Sequence, residues 1–236
     1  MIPKILHQTY KSTSLPDNYR KFQEKLLFLH PDWEYKFWTD PDNEFFLRTY
    51  YPHFYKFYIS IPIKIVKFDF IRYVYLYHFG GVYLDIDYEM LKPFDLLQYN
   101  LVLPRESDDY KPLYLGNSLL ASIPKHPFWE YTINVLIKNI ENISTYIDEE
   151  DVINISGPGL ITRTYHSFKE KDKIYIPPRE HFNPPIPKNN DEYKMIIDKH
   201  TSYGIHHCTG SWRALSKSQR ILKKLKRILF PILHKN

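Results

Sequence analysis

Hydrophobic and polar positions along this chain follow two periods that take turns. "PKILHQTY" is short, rich in apolar residues and entered from Pro3, which predicts a first strand. "NYRKFQEKLLFLHPDW" sets Phe22, Leu26 and Leu29 at helical spacing and is stopped by Pro31. "WEYKFWTD" alternates aromatic and polar residues and predicts a second strand. After a tyrosine-rich segment, "KIVKFDFIRYVYLYHFGG" predicts a long helix that ends at Gly80, a residue at home in the left-handed conformation past a helix C-terminus. "VYLDIDYEML" predicts the next strand. Strands alternating with helices predict an α/β sheet, parallel at least in its first half.

Beyond Pro93 the pattern loosens. "LGNSLLASIPKHPFWEYTINVLIKNI" predicts a strand, a turn and a helix starting near Pro127. "INISGPGLITRTYHSF" predicts a Gly-Pro turn into a helix, and "DKIYIPP" a strand. "PPREHFNPPIPKNNDEYK" reads as a Pro-rich loop facing substrate. No repeat or linker divides the core, so 236 residues predict one domain with an appendage.

Composition changes this picture in three places. One cysteine, Cys208, excludes an internal disulfide framework and a cysteine-based zinc site. The net charge of +5 belongs to the tail: from residue 213 onward there are eight Lys and Arg and no acid, whereas residues 1–212 carry 24 basic against 27 acidic groups. A nucleic-acid partner for the body thereby loses its support. "MIPKILHQTY" lacks the apolar run of a signal peptide, and no stretch of about 18 apolar residues appears, so the expected location is cytoplasmic.

The candidate chemistry begins at "FGGVYLDIDYE". On a strand, Asp85 and Asp87 face one side and Ile86 the other. Two carboxylates on one face repel unless a cation sits between them, and hard oxygen ligands suit Mg²⁺ or Mn²⁺. A bare D-x-D is equally consistent with solvated acids at a strand end. Asp69 and Arg72, spaced i, i+3 on the preceding helix, share a face. They are either a surface ion pair or, on so apolar a helix, a carboxylate and guanidinium suited to sugar hydroxyls.

"IPKILHQTY", "PDWEYKFWTD", "KFDFIRYVYLYHFGGVYLDIDYE", "NSLLASIPKHPFW", "SGPGLIT" and "IHHCTGSW" occur in the order seen in glycosyltransferase family 32, which the chain resembles over roughly residues 1–212. That family includes mannosyltransferases and more distantly resembles the catalytic domain of large clostridial toxins. The resemblance implies a GT-A-type, Rossmann-like mixed sheet flanked by helices. It also implies a nucleotide-sugar donor, UDP- or GDP-linked, a divalent metal, and transfer of a hexose with retention to a glycan or lipid-linked acceptor. Carried onto this sequence, Asp87 is the direct metal ligand, Asp85 bridges ribose and metal shell, and Asp69 with Arg72 holds the donor sugar. Gln8 and Thr9 give backbone contacts to the base, and Tyr10 stands where many relatives carry a stacking Trp. His206, six residues before Trp212, has the family's spacing for a metal or diphosphate histidine, with Ser211 and Trp212 closing over the phosphates. Asn117 is a polar group on the sugar or acceptor side, while His207 reads as structural and Cys208 as packing. Rival readings are a binding protein that kept the fold without turnover, and a basic-tailed membrane adaptor.

Residues 213–236 predict a basic amphipathic helix with Leu215, Leu222, Leu225 and Leu229 on one stripe. Such a helix either contacts an anionic membrane, making the protein peripheral, or docks on the core with its lysines solvated.

Overall fold

The computed structural model describes residues 1–107, 113–141 and 149–210; Ser211, Trp212 and the expected tail helix lie outside the described residues. In chain order the elements are β1 (Ile5–Thr9), α1 (Asp17–Leu29), β2 (Glu34–Trp38), α2 (Asp40–Tyr50), α3 (Pro52–Ser60), α4 (Lys64–Phe79), β3 (Gly81–Leu84) and β4 (Tyr88–Met90). There follow β5 (Leu101–Val102), β6 (Arg105–Ser107), β7 (Tyr114–Leu115), β8 (Leu119–Ser122), α5 (Pro127–Glu141) and α6 (Glu149–Ile155). The last are α7 (Pro158–Ser167), α8 (Arg179–Phe182), α9 (Asn190–Asp198) and β9 (Gly204–His206).

The main sheet has the order β2-β1-β3-β8-β5. β1 pairs parallel with β2 and β3, as the strand–helix alternation predicts, and β8 runs antiparallel between β3 and β5. The result is the expected mixed sheet flanked by helices. Strand side chains divide by the period of two: Val82 and Leu84 of β3, with Leu119 and Ala121 of β8, pack on one face beside Leu26 of α1. Tyr83 and Leu120 enter the larger core on the other face, among α4, α5 and α7.

The centre of that larger core is α4. From Asp69 to Leu76 every residue is buried, so this helix is covered on all sides rather than amphipathic. Gly80 and Gly81 then turn the chain straight into β3 with φ of +65° and +90°. A Cβ on Gly80 would stand 2.6 Å from the Pro124 nitrogen, and one on Gly81 2.5 Å from the Ile5 carbonyl oxygen, so only glycine fits either place.

Four local expectations are revised. The tyrosine-rich segment is the helix pair α2–α3, started by a Thr39–Asp42 capping box and by Pro52 at the first position of α3. "VYLDIDYEML" is two strands in two different sheets, because the chain turns at residues 85–87 with the Tyr88 amide donating to the Asp85 carbonyl at 3.0 Å. "DKIYIPP" contributes a single bridge, Tyr175 to Val102. The Pro-rich loop contains α8 and runs into α9, whose cap Asn189 accepts from the Asp191 and Glu192 amides. Among the described residues no helix is long and apolar enough to cross a membrane.

Candidate metal and sugar-binding site

The site forms where the C-terminal end of β3, the middle of α4 and the small β4–β9 ladder meet. β3 delivers Asp85 just past its end, and the Asp85 amide donates to the Ser118 carbonyl at 2.8 Å, which fixes the turn. β9 pairs antiparallel with β4 so that His206 lies opposite Tyr88, and its ring stacks on the Tyr88 ring at 6.2 Å. That pairing carries the imidazole onto the turn from far along the chain. The His206 Nε2 lies 3.2 Å from Asp87 Oδ1 and 3.7 Å from Asp85 Oδ2. One ligand atom each from Asp85, Asp87 and His206 lies within 4.8 Å of the others, a set of two carboxylate oxygens and one imidazole nitrogen that fits Mn²⁺ or Mg²⁺.

The two acids do not share a strand face as expected; they are neighbours across a turn and have different supports. Asp85 Oδ1 takes Arg72 Nη1 at 3.0 Å and the Tyr83 hydroxyl at 3.1 Å. Asp87 Oδ2 accepts from the Thr209 amide at 2.9 Å and the Thr209 hydroxyl at 2.8 Å. Their proton affinities part accordingly. Burial pushes the Asp85 carboxyl up to about 6, against the pull of Arg72 and His206. For Asp87 burial is outweighed by His206 and Thr209, which hold its carboxyl well below the usual range. His206 is raised well above its ordinary value: burial opposes the charge, and Asp87, Cys208 and Asp85 overcome it. Ile86, between the acids, packs with Leu15 and Tyr19 in a small apolar cluster.

Asp69 and Arg72 are buried, not a surface pair, with Arg72 Nη2 3.0 Å from Asp69 Oδ1. Asp69 also accepts from Asn117 Nδ2 at 3.0 Å and from the Ser156 hydroxyl at 2.6 Å. Arg72 Nη1 donates to the Asn117 carbonyl at 2.7 Å, and its guanidinium lies 4.6 Å over the Tyr83 ring. Burial raises the Asp69 carboxyl, with Arg72, Ser156 and Asn117 opposing, while Asp85, Tyr83 and Asp69 more than offset the burial of Arg72 and raise it further. The cluster thus joins Asp69, Arg72, Asn117 and Asp85 through direct contacts, and Asp85 joins it to Asp87 and His206.

The first-strand residues border this site. Gln8 is buried, donates through Nε2 to the Asp85 carbonyl at 3.3 Å and accepts from the Tyr35 hydroxyl at 2.9 Å. Thr9 is turned away, its hydroxyl donating to the Trp38 carbonyl at 3.0 Å. Tyr10 meets Tyr19 edge to face at 6.0 Å, and the Tyr19 hydroxyl lies 2.7 Å from that of Thr209. His207 points elsewhere: Nε2 donates to Glu89 Oε2 at 3.0 Å and the ring stacks on Phe22. Lys25 and the Tyr193 hydroxyl complete that brace, and although burial opposes it these partners hold the Glu89 carboxyl at about 2. Cys208 Sγ lies 3.2 Å from His206 Nδ1, so it is more than packing. Tyr83, Ser156 and Thr209 are the supports the sequence reading passed over. Ser156 and Thr209 stand inside the "SGPGLIT" and "IHHCTGSW" stretches, and Tyr83 lies two residues before Asp85 on β3, which were the signals available.

Residues 16–106 match the family described as "Glycosyltransferase sugar-binding region containing DXD motif". The chain is 34% identical over 171 residues to inositol phosphoceramide mannosyltransferase 2 of Schizosaccharomyces pombe, covering 72% of this chain and 48% of that one. It is 27% identical over 236 residues to the initiation-specific alpha-1,6-mannosyltransferase of Candida albicans, covering 83% and 58%. The chain spans about half the length of the curated relatives it matches. Among solved structures it resembles the PaToxG glycosyltransferase with a TM-score of 0.57 at 16% identity, covering 96% of this chain and 84% of that one. This likeness carries the fold, a GT-A-type sheet.

Proposed function

Because the chain belongs to the glycosyltransferase family marked by this D-x-D sugar-binding region, we propose that it is a metal-dependent, retaining transferase moving a hexosyl group from a nucleotide-sugar to a glycan or lipid-linked acceptor. The observation that carries the reading is the convergence of Asp85, Asp87 and His206 beside the buried Asp69–Arg72–Asn117 cluster. Arg72 meets Asp69 and Asp85, and Asp87 adds a third carboxylate beside His206, so a divalent ion would be well placed among these acids. Asp87, Asp85 and His206 would hold it, and when bound it supplies the positive charge that a departing diphosphate needs.

The remaining roles belong to the chain's own residues. Asp69 accepts, and Arg72 donates, hydrogen bonds to sugar hydroxyls, with both side chains preset by Ser156 and Asn117 so that little ordering is left for the moment of binding. Gln8, the Thr9 backbone and Tyr10 are assigned to the base, and Ser211 and Trp212 to the phosphates. The relatives' names put mannose first among the sugars and an inositol phosphoceramide first among the acceptors. An anionic membrane surface for residues 213–236 belongs to the same reading, because a lipid-linked acceptor lies there.

A panel of UDP- and GDP-linked hexoses, with and without Mn²⁺, tests this by melting temperature and donor turnover. One donor should raise the melting temperature only with Mn²⁺, and Asp87→Ala should lose both that shift and the turnover while remaining folded. No response to any donor, or wild-type turnover by Asp87→Ala, would sink the reading.

A further inference from the structure

The β6–β7 hairpin contains a carboxylate that the donor site does not use. Arg105 pairs with Leu115 and Ser107 with Tyr114, so Glu106 is the extra residue of a bulge. A bulge bends its strand and re-aims the side chain of the inserted residue. Here the Glu106 carboxylate lies against Gly116, in the space a Cβ there would fill. Glu106 is half-buried and makes no hydrogen bond or ion pair among the described residues. Its oxygens stay within reach of solvent, so both are open to accept a hydrogen bond that a ligand supplies.

Its surroundings say which ligand. Gly116 is followed directly by Asn117, whose side chain holds Asp69 and whose carbonyl holds Arg72. Glu106 therefore stands one residue away from the sugar-facing cluster. On its other flank is Tyr88, the ring stacked on His206, whose hydroxyl is raised by burial and by the Glu106 charge. Asn183, buried at the end of α8, fixes the bulge: its Nδ2 donates to the Arg105 carbonyl at 2.9 Å and its Oδ1 lies 3.5 Å from the Ser118 hydroxyl. An ionised carboxylate only accepts hydrogen bonds and repels a diphosphate. Both substrates of a transferase bear hydroxyls, but those of the donor sugar fall to Asp69 and Arg72 under the reading above, which leaves Glu106 to an acceptor hydroxyl.

We propose that Glu106 forms the acceptor subsite, taking the hydrogen bond of a hydroxyl on a polyol or glycan headgroup and holding it beside the donor sugar, with Asn183 as its positioning residue. The proposal rests on the transferase reading above, and its test separates the two.

Donor hydrolysis by water, measured without acceptor, reports the donor site alone; transfer to inositol phosphoceramide in mixed micelles reports both. Glu106→Ala should raise the acceptor KM at least about tenfold, the scale of a lost hydrogen bond to a charged group, and leave hydrolysis within about twofold. Gly116→Ala keeps the carboxylate but puts a methyl where it lies, so it should reproduce the acceptor defect with the melting temperature unchanged. An unchanged acceptor KM in Glu106→Ala, a parallel fall in hydrolysis, or wild-type protein that hydrolyses donor but transfers nothing to the micelles overturns the subsite alone. Wild-type protein that hydrolyses no donor overturns the transferase reading and the subsite with it.

Discussion

Two histidines, His7 buried in the core and His206 half-buried, show opposite ways of placing an imidazole inside this molecule. His7 lies on β1 between the rings of Trp38, Tyr75 and Phe79, with the Trp38 and Tyr75 planes within 13° and 9° of its own. The Trp38 indole N–H, which can only donate, gives to His7 Nδ1 at 3.2 Å, so the ring's proton sits on Nε2 and goes to the Gly80 carbonyl at 3.0 Å. Both nitrogens are satisfied by neutral partners, and burial drives the ring's pKa down to about 3. His206 has carboxylates on one side and a thiol on the other, and burial there is overcome. Burial alone therefore says little about function. A polar group whose partners complete it, as at His7, builds the core; one set among carboxylates, as at His206, marks the candidate site.

Substitutions can break that contrast from either side. The largest effect is expected from Asp87→Ala, which takes away a proposed metal-ligand atom and His206's nearest acid: donor turnover should fall by about 10³-fold or more, with the fold intact by circular dichroism. His7→Ala should act on the other quantity. It leaves a cavity among the rings and two buried groups, the Trp38 N–H and the Gly80 carbonyl, without partners, and should cost about 3 kcal/mol or more in urea unfolding. Mn²⁺ affinity of the folded fraction should stay as it was.

The same histidine sets a pH dependence. Its pKa is lower folded than unfolded, so its contribution is complete above about pH 6.5 and is lost as pH falls toward about 3. Across that window the stability of wild type should decline relative to His7→Gln by about 1.4 kcal/mol per pH unit, read from urea midpoints at successive pH values. A parallel decline in both proteins would place the sensitivity elsewhere. The smallest effect should come from Thr209→Val, which removes one of two hydrogen bonds to Asp87 Oδ2 and keeps the backbone donor. Mn²⁺ affinity by titration calorimetry should weaken about tenfold, without loss of stability comparable to His7→Ala.

How much of this was legible beforehand depends on how local its cause is. β1, α1, β2 and α4 could be read from period, Pro31 and the Gly80–Gly81 turn, because each is set by neighbours a few residues apart. α2 and α3 were missed because aromatic crowding hid the helical period, although the Thr39–Asp42 capping box was in view. The Asp69–Arg72 pair could be placed on one helical face, yet its burial could not, since only a helix enclosed on every side hides both. Glu106 lay beyond periodicity altogether, because a bulge is a mismatch between two strands and neither strand alone contains it.

The sequence by itself determined the strand–helix order of β1, α1, β2 and α4, the turn from α4 into β3 and the acids and histidine proposed for the site, since these follow from backbone preference and side-chain chemistry. Tertiary structure decided that the two aspartates sit on a turn with different partners, and that pairing of β4 with β9 brings His206 between them. The place of His206 and the support of Asp87 by Thr209 depend on contacts between segments more than a hundred residues apart, and no local period encodes which distant strand a sheet edge will accept.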